Sequence, residues 1–455
     1  MGLENENLEK ELTALHEWEV YASQLLIEYE QSMDEGLDIE AYKEVFEAIS
    51  KMPLDNKKDQ MADVLFQILQ NAKIREEYPY REPSTLEEIK ALRKAHIFQT
   101  KEPGRRELED KIYGAWMGRV CGCLLGKPVE GIRTKELHPL LKASDNFPMH
   151  RYIVSGDITK EMYANYEFDL KDKCFADTVD GMPVDDDTNY VVLAQKIVED
   201  CGREFTSADV AKAWLAYQPK DAYCTAERVA FCNFVKGYQP PVSAIYKNPY
   251  REWIGAQIRG DYFGYINPGN PEKAAEMAFR DAAISHIKNG IYGEMFAAAM
   301  IACGAVTDSI EDIVKGGLAQ IPASSRLYEA VTDVLNGYDA GVSREACFAG
   351  IHKRFDEHTA HGWCHTISNA MIVAAALLYG EGDFGKSICM AVETGFDTDC
   401  NGATVGSVLG MRNGIAGIGQ EWLGPVNDKL HTSIFGVGTV SVKEMAEKTM
   451  AHLVQ

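Results

Sequence analysis

Apolar positions in the first hundred residues recur at the spacing of one face of an α-helix. The segment also contains long stretches without Gly or Pro, which favours helices over strands or loops. Pro53 and the stretch 78–83 divide it into roughly three predicted helical pieces, the last with Ser84 as N-cap and Glu87 closing a capping box. The positions that carry the pattern are Leu12, Leu15, Trp18, Tyr21 and Leu25.

From Lys111 onward the pattern changes to Ala-rich apolar segments separated by glycines. Small residues on contacting faces let helix axes approach closely, and Val, Ile and Thr rarely alternate with polar residues as they would in strands. We therefore predict an all-α protein with an acidic helical extension over residues 1–104 and one larger domain over residues 105–455. The segments predicted as helices are 188–199, 271–287, 294–303 and 367–378.

The charge of the chain argues against a nucleic-acid partner. It has 46 Lys and Arg against 69 Asp and Glu, a formal net charge of -23. Nonspecific affinity for nucleic acids comes from cations that neutralise phosphates, and here anions dominate. The first hundred residues hold 22 acidic and 11 basic side chains, and we interpret them as an accessory or dimerisation surface, which would make the protein a homo-oligomer.

Membrane and disulfide signals are weak. Every apolar run falls short of the roughly 20 residues that a membrane helix needs, and the charged start MGLENENLEKEL does not resemble a signal peptide. The eleven cysteines are odd in number, scattered and without a CxxC pair. We expect reduced, mostly buried thiols, no membrane partner and a cytoplasmic protein.

Two acidic motifs each precede a segment with helical spacing. The first is DDDT at residues 185–188, where three adjacent carboxylates repel one another although a helix N-terminus needs only one. The second is the DxD pair Asp397 and Asp399, flanked by glycines and small residues. A cation would offset either group, and carboxylate oxygens suit Mg²⁺, Mn²⁺ or Ca²⁺ rather than zinc. For each motif alone, a solvated acidic cap is the alternative.

Three motifs follow one another along the chain: GAWMGRVCGCLLGKPVEG at 114–131, DDDT at 185–188 and DTDCNGATVGSVLG at 397–410. In this order they resemble the ADP-ribosylglycohydrolase family, whose relatives include the glycohydrolase that reactivates dinitrogenase reductase. The resemblance spans residues 111–424 and leaves out the first hundred residues. It implies an orthogonal bundle of α-helices whose cleft holds two Mg²⁺ ions, with Mn²⁺ as a substitute, and a hydrolase that removes a group from ribose C1.

The resemblance implies metal ligands in both acidic motifs. Asp186 and Asp187 match the acidic pair of the family, while Asp397 and Asp399 match its DxD pair. Asp185 stands where many members have Thr or Ser, so we expect it either to ligate a metal or to add charge. Five carboxylates are therefore predicted at the metal centre.

The predicted catalytic carboxylates are Glu130 and Asp399. Glu130 ends the first motif, where several members carry an acidic residue close to the metals, and a plain surface glutamate is the alternative. Cys400 follows the DxD where many members have Thr or Ser. Because sulfur is a poor Mg²⁺ ligand, either Cys400 stays outside the metal coordination or Mn²⁺ is better tolerated. Cys123 stands in place of an acidic turn and receives no metal role.

Substrate contacts are predicted in two regions. The loop at 261–270 is rich in Gly, Asn and aromatic residues, and the resemblance places Gly264 and Tyr265 at the nucleotide. His286 matches a Ser/Thr-His motif near the ribose, and Tyr292 follows shortly after it. The alternatives are an ordinary turn whose aromatics fill the core and a histidine that only makes hydrogen bonds there.

The run His358, His361 and His365 has an HxxHxxxH spacing that could suggest zinc. The intervening Gly362-Trp363 interrupts the helix that would place two histidines on one face, and no HExxH accompanies the run. We therefore disfavour a zinc site and expect His365 near the cleft.

The leading hypothesis is a binuclear Mg²⁺-dependent hydrolase that cleaves a ribosyl glycosidic bond in an ADP-ribosyl-protein or a small ADP-riboside. One alternative is the same chemistry on a smaller nucleoside or nucleotide riboside. Another is a non-catalytic ADP-ribose-binding protein, which Asp185 and Cys400 keep open. The hypothesis of a divalent-metal phosphatase has less support, because no histidine cluster accompanies the acidic motifs.

Overall fold

Helices form almost the whole architecture. The computed structural model describes residues 11–453, and within them it contains 23 α-helices and one two-stranded antiparallel sheet, which confirms the all-α prediction. The helices are α1 (Leu25–Asp34), α2 (Lys43–Ser50), α3 (Asn56–Asn71), α4 (Leu86–Ala91), α5 (Arg105–Gly126), α6 (Thr134–Ala143), α7 (Lys160–Asn165), α8 (Asp186–Cys201), α9 (Ser207–Tyr217), α10 (Thr225–Val235), α11 (Val242–Ile245), α12 (Asp261–Tyr265), α13 (Pro271–Ala282), α14 (Lys288–Gly304), α15 (Ile310–Leu318), α16 (Arg326–Asp339), α17 (Arg344–Arg354), α18 (Ala360–Cys364), α19 (Thr366–Gly380), α20 (Phe384–Glu393), α21 (Thr398–Asn413), α22 (Gln420–Val426) and α23 (Val442–Ala451).

Short 3-10 turns and the small sheet complete the described residues. The strands β1 (Lys429–His431) and β2 (Thr439–Ser441) pair with Leu430 opposite Val440. The 3-10 turns are Leu12–Ala14, Glu17–Glu19, Tyr21–Ser23, Glu40–Tyr42, Lys127–Val129, Ser155–Asp157, Lys220–Ala222, Ile254–Ala256 and Ile415–Gly417.

Three of the four predicted body helices lie inside α8, α14 and α19. The fourth, 271–287, is wrong at its end, because the chain turns after α13 and the N–H of Ile287 donates to the carbonyl of Arg251 at 3.0 Å. The predicted N-cap at Ser84 is also wrong. The cap position of α4 is Thr85, and Ser84 Oγ instead accepts the N–H of Lys288 at 3.1 Å.

The central helices are apolar all round, as expected of helices that have no solvent face. Every residue of α14 after Lys288 is buried, and in α19 only Tyr379 is not. Within residues 11–453, no helix combines the length and the hydropathy needed to cross a membrane. The apolar runs therefore belong to the interior of the bundle.

Helices α5 and α21 touch backbone to backbone through matched glycines spaced four residues apart. A Cβ added at Gly118 would lie 2.1 Å from the carbonyl oxygen of Gly406, and one added at Gly122 would lie 1.9 Å from that of Gly402. At the end of this contact, Thr398 Oγ1 donates to the carbonyl of Gly126 at 2.9 Å. The first and third sequence motifs are thereby locked together, with the C-terminus of α5 against the N-terminus of α21.

The N-terminal segment, residues 11–104, is helical as predicted and has a small core of its own, which includes Phe46 and Leu65. It packs on the rest of the chain through a buried ionic network, which we call the docking cluster. In it, guanidinium and ammonium groups of the body meet carboxylates of both parts. Its members are Glu28, Glu35, Glu82, Arg251, Glu252, Lys288 and Arg326.

Candidate metal centre

The start of α8 carries the first acidic motif. Asp185 has extended backbone angles and caps the helix, with its Oδ1 accepting the N–H of Asp187 at 2.9 Å. Thr188 Oγ1 donates to the carbonyl of Asp185 at 3.2 Å. Adjacent carboxylates in the first turn thus project from one helix end, where the partial positive charge of the helix favours anions.

A tight turn before α21 presents the DxD pair. Gly395 and Phe396 both have positive φ, 75° and 59°, and they reverse the chain just before Asp397. Trp363 Nε1 donates to the carbonyl of Phe396 at 2.6 Å, and Asn369 Oδ1 accepts the N–H of Asp397 at 3.3 Å. The turn is therefore held from outside by the segment that enters α19.

The side chains of the three motifs converge in one place. Carboxylate oxygens of Glu130, Asp397 and Asp399 lie within 4.8 Å of one another, a spacing at which one ion can contact all three. Asp187 and Asp399 form a second such group with Cys400, and Asp185 and Asp187 a third with Cys123. We call Glu130, Asp185, Asp186, Asp187, Asp397 and Asp399 the acidic cluster.

Protein cations offset the acidic cluster only in part. Lys127 Nζ lies 2.5 Å from Asp185 Oδ2. Arg119, fully buried, pairs with Asp187 Oδ1 at 3.0 Å but shares its charge with Asp261 at 2.6 Å. Asp187 Oδ2 is buried, and among the described residues no hydrogen-bond donor reaches it. A buried carboxylate oxygen without a donor is costly, and a further cation next to it would offset that cost.

This excess of negative charge raises the pKa values of the carboxyl groups in the acidic cluster. Burial, together with Asp185 and Asp399, raises the pKa of Asp186 to about 7. Repulsion from Asp399, with Asp397 and Asp185 adding to it, raises the pKa of Glu130 well above its ordinary value. Burial and then Asp399 do the same to the pKa of Asp397. Without metal, these carboxyl groups hold their protons to higher pH than ordinary carboxyl groups do, and a divalent ion would displace those protons.

Comparison with known proteins identifies the family. Residues 104–453 match the model of the ADP-ribosylglycohydrolase family. The chain belongs to this family. An uncharacterized protein of Archaeoglobus fulgidus is 23% identical over 327 residues, which cover 71% of this chain and 93% of the relative. A solved structure described as an ADP-ribosylglycohydrolase-related protein complex aligns with a TM-score of 0.47 and 18% identity, covering 76% of this chain and 98% of that one.

Membership makes the protein a glycosidic-bond hydrolase, and members of the family typically depend on a metal. The recognition of the family from the three motifs is confirmed, since the matched residues include all of them. The acidic groups gathered at the ends of α5, α8 and α21 are able to hold a metal ion.

Gly264 and Tyr265 do not line the cleft, which corrects the prediction of nucleotide contacts. Both lie in α12, where Tyr265 is fully buried and its hydroxyl forms a 2.7 Å hydrogen bond with Ser407 Oγ. A Cβ on Gly264 would lie 2.6 Å from Cβ of Ile301. The glycine allows close helix packing and the tyrosine fills the core, which was the alternative reading of this loop.

His286 and Tyr292 are also packed inside, so their predicted ribose contacts are corrected too. His286 is fully buried, and its Nδ1 is 2.8 Å from Ser285 Oγ. Burial lowers the pKa of His286 well below its ordinary value, so the ring is neutral. The hydroxyl of Tyr292 donates to the carbonyl of Pro83 in the N-terminal segment. Both side chains therefore serve packing.

His361 and His365 of the histidine run lie with Asp34 in a group whose ligand atoms are within 4.8 Å of one another, but one ring nitrogen of each histidine already accepts a hydrogen bond. His358 is exposed, while His361 Nε2 lies 3.0 Å from Asp34 Oδ2 and His365 is buried nearby. Nδ1 of His361 accepts the indole N–H of Trp253 at 3.1 Å, and Nδ1 of His365 accepts a backbone N–H. In a neutral ring each Nε2 then carries the proton and has no lone pair for a metal. This geometry supports the decision against zinc at the run.

Sequence reasoning missed the two cations of the centre, Arg119 and Lys127. Both lie inside the glycine-rich first motif, at sites surrounded by apolar residues, and a charged residue in such a place needs a buried partner. That was the available signal. Asp185 was predicted as a ligand or as added charge, and in the structure its two oxygens serve the helix cap and Lys127.

Proposed function

We propose that this protein is a metal-dependent hydrolase of the ribosyl C1 bond in ADP-ribosyl conjugates, with two Mg²⁺ ions, or Mn²⁺ in their place, in the acidic cluster. The observation that carries the proposal is the excess of buried carboxylates over protein cations at the joint ends of α5, α8 and α21. A purely structural cluster would be neutralised by the protein itself. Asp186, Asp187, Asp397 and Asp399 are the proposed ligands, and Glu130 lies beside them.

Metal ions held there would orient ribose hydroxyls and supply positive charge next to the sugar. The reaction itself passes through an oxocarbenium-like state at C1, which flanking carboxylates stabilise. In this chain those carboxylates are Asp397 and Asp399, fixed by the turn before α21 and by its first residues. Their position depends on the glycine contact between α5 and α21 described above.

Glu130 is the proposed proton carrier. It follows the 3-10 turn Lys127–Val129, is solvent-exposed, and lies beside Asp397 and Asp399. As a carboxyl group beside the metal ligands, Glu130 would give a proton to the departing group and take one from the attacking water. A surface glutamate far from the other motifs would not have these neighbours.

The cellular compartment and the class of substrate are proposed from the composition of the chain. Within residues 11–453 all eleven cysteines are free thiols, which supports a reducing compartment such as the cytoplasm. The net charge of -23 supports a substrate other than nucleic acid. Assembly into a homo-oligomer through the N-terminal segment stays a prediction.

Turnover with defined conjugates tests the proposal. Peptides carrying ADP-ribosyl-arginine or ADP-ribosyl-serine are incubated with the protein and Mg²⁺, and released ADP-ribose is separated by chromatography. We expect release that stops with a chelator and in Asp397→Asn, and that continues in the control Asp63→Asn, which alters an exposed residue of the N-terminal segment.

Two other results would replace the proposal. Turnover of nucleosides or nucleotides without turnover of the conjugates would select the smaller-riboside alternative. Metal-dependent calorimetric binding of ADP-ribose without turnover of any substrate would select a binding protein, the alternative that Asp185 and Cys400 raised.

A further inference from the structure

We infer that the acidic cluster binds two chemically different metal ions, an arrangement that we call the mixed centre. Cys123 and Asp187 hold a thiophilic divalent cation of the zinc class, and the group of ligands that offers only oxygen atoms holds Mg²⁺. The inference rests on the proposed metal centre and changes the identity of one of its two ions. It concerns thiol groups that the proposed hydrolysis does not use.

The acidic cluster contains two groups of ligand atoms that share no residue, and a third group with Cys400 links them through Asp187 and Asp399. Glu130, Asp397 and Asp399 offer only oxygen, whereas Cys123 lies with Asp185 and Asp187. In both groups the ligand atoms are within 4.8 Å of one another. Hard oxygen sets suit Mg²⁺ or Mn²⁺, while a thiolate favours Zn²⁺, Cd²⁺ or Co²⁺. Two ions bound by these two groups would therefore differ in kind.

An unsatisfied atom marks the sulfur side as a site. Asp187 has no exposed surface, and in the described part of the chain its Oδ2 has no hydrogen-bond partner. The other oxygen of Asp187 is bound to Arg119, so only Oδ2 is free for a metal. Cys123 is likewise fully buried, yet its neighbours include carboxylates rather than only apolar groups. A thiol that only fills space does not need such a setting.

Lys127 shapes this side in two ways. Its ammonium is 2.5 Å from Asp185 Oδ2, so the ion must draw mainly on Cys123 and Asp187, with the solvent or Asp185 completing the coordination. Burial and the carboxylates Asp185, Asp187 and Asp399 raise the pKa of Cys123 well above its ordinary value, and Lys127 opposes them only in part, so the thiol stays protonated until a metal replaces its proton. On binding, the thiol proton passes to solvent and a metal–sulfur bond forms, with no change in oxidation state.

Cd²⁺ and Co²⁺ report sulfur coordination directly, without any assay of turnover. The metal-free protein is titrated with either ion while the sulfur-to-metal charge-transfer absorption is recorded. We expect one absorbing ion per chain, in a complex that excess Mg²⁺ does not displace. The absorption should disappear in Cys123→Ser and persist in Cys201→Ser, a matched control because Cys201 is an exposed thiol.

Further variants keep the test decisive. If Cys123→Ser is unstable, Cys123→Ala and the ¹¹³Cd chemical shift of the wild-type complex report the sulfur ligand instead. Absorption that persists without Cys123 but disappears in Cys400→Ser would overturn the assignment to Cys123, and absorption that is absent in the wild type would overturn the mixed centre.

Mn²⁺ binding, followed by electron paramagnetic resonance, separates this inference from the proposed function. If Mn²⁺ binds and no sulfur coordination is found, the proposed centre stands and the mixed centre fails. If neither metal class binds, the proposed metal dependence fails as well.

Discussion

The acidic cluster and the docking cluster are both ionic and largely buried, but only the docking cluster is nearly balanced by the protein, with three cations for four carboxylates. In the docking cluster Arg251 lies 2.8 Å from Glu28 and 2.6 Å from Glu35, and Arg326 lies 2.7 Å from Glu252. The acidic cluster has six carboxylates against Lys127 and a shared Arg119. The paired charges of the docking cluster join two parts of the chain, whereas the excess negative charge of the acidic cluster is available to bind a cation.

The pKa values of the two clusters move in opposite directions. In the docking cluster burial alone would raise the pKa of Glu252, but Arg326, His365 and Lys288 together outweigh burial and lower it. Arg251 and Lys288 together lower the pKa of Glu35 against burial in the same way. In the acidic cluster burial and repulsion raise the pKa values of Asp186, Asp397 and Asp399. The first set is ionised at neutral pH and stabilises the fold, whereas the second set opposes it until a cation enters.

Disrupting the ion pairs of the docking cluster should have the largest effect on stability. Arg326→Met leaves Glu82 and Glu252 buried without their guanidinium, so we expect a loss of about 3–5 kcal/mol in the free energy of unfolding, measured with urea. A loss below about 1 kcal/mol would show that the docking cluster contributes little to the attachment of the N-terminal segment.

Removing a carboxylate from the acidic cluster should lower activity without lowering stability. Asp397→Asn deletes a proposed ligand, so turnover should fall about 100-fold or more. In chelator, however, its melting temperature should rise, because one source of repulsion is gone. The activity assay is the peptide assay described above, and stability is followed by circular dichroism. A melting temperature that falls would contradict the view that this cluster opposes folding.

The response to pH should differ between the clusters. A carboxyl group with a raised folded pKa costs stability that builds up as the pH rises from its unfolded to its folded pKa. Metal-free protein should therefore become more stable as the pH falls below about 7, the pKa of Asp186. Groups with a lowered pKa, such as Glu252, contribute stability that is lost only below their unfolded value of 4.5.

Unfolding of metal-free protein should therefore show greatest stability between those limits, and metal should flatten the neutral part of the profile because bound carboxylates no longer take up protons. Stability that declines steadily from about pH 8 to about pH 6 without metal would contradict the sign assigned to the acidic cluster.

Removal of an exposed ion pair should have the smallest effect on the free energy of unfolding, and it serves as a reference for the larger effects. Asp63 pairs with Lys247 between the N-terminal segment and the body, with about half of the Asp63 side chain exposed. Asp63→Ala should change the free energy of unfolding by less than about 0.5 kcal/mol. A cost comparable to that of Arg326→Met would mean that burial is not what distinguishes the docking cluster.

The sequence predicts the acidic cluster better than the docking cluster for a physical reason. Charges that repel one another within four residues, as at 185–188, are visible in the sequence, and so is the glycine spacing that brings Asp397 to the end of α5. The pairs of the docking cluster join residues far apart in the chain, such as Glu28 and Arg251. Nothing local marks such partners.

The errors at Gly264 and Tyr265 have a related cause. Glycine and aromatic residues in a short segment are typical of ligand loops, but they are equally typical of close helix packing. Burial decides between the two, and burial is a property of the fold rather than of the segment. The all-α class, by contrast, follows from periodicity alone and is confirmed.

Calorimetric titration of Mn²⁺ into metal-free protein, repeated in buffers of different ionisation enthalpy, tests most directly whether the acidic cluster awaits a cation. We predict binding that releases protons near neutral pH, lost in Asp397→Asn, because the metal displaces protons from carboxyl groups whose pKa is raised. Absence of binding, or binding that releases no proton and survives in Asp397→Asn, would contradict the account.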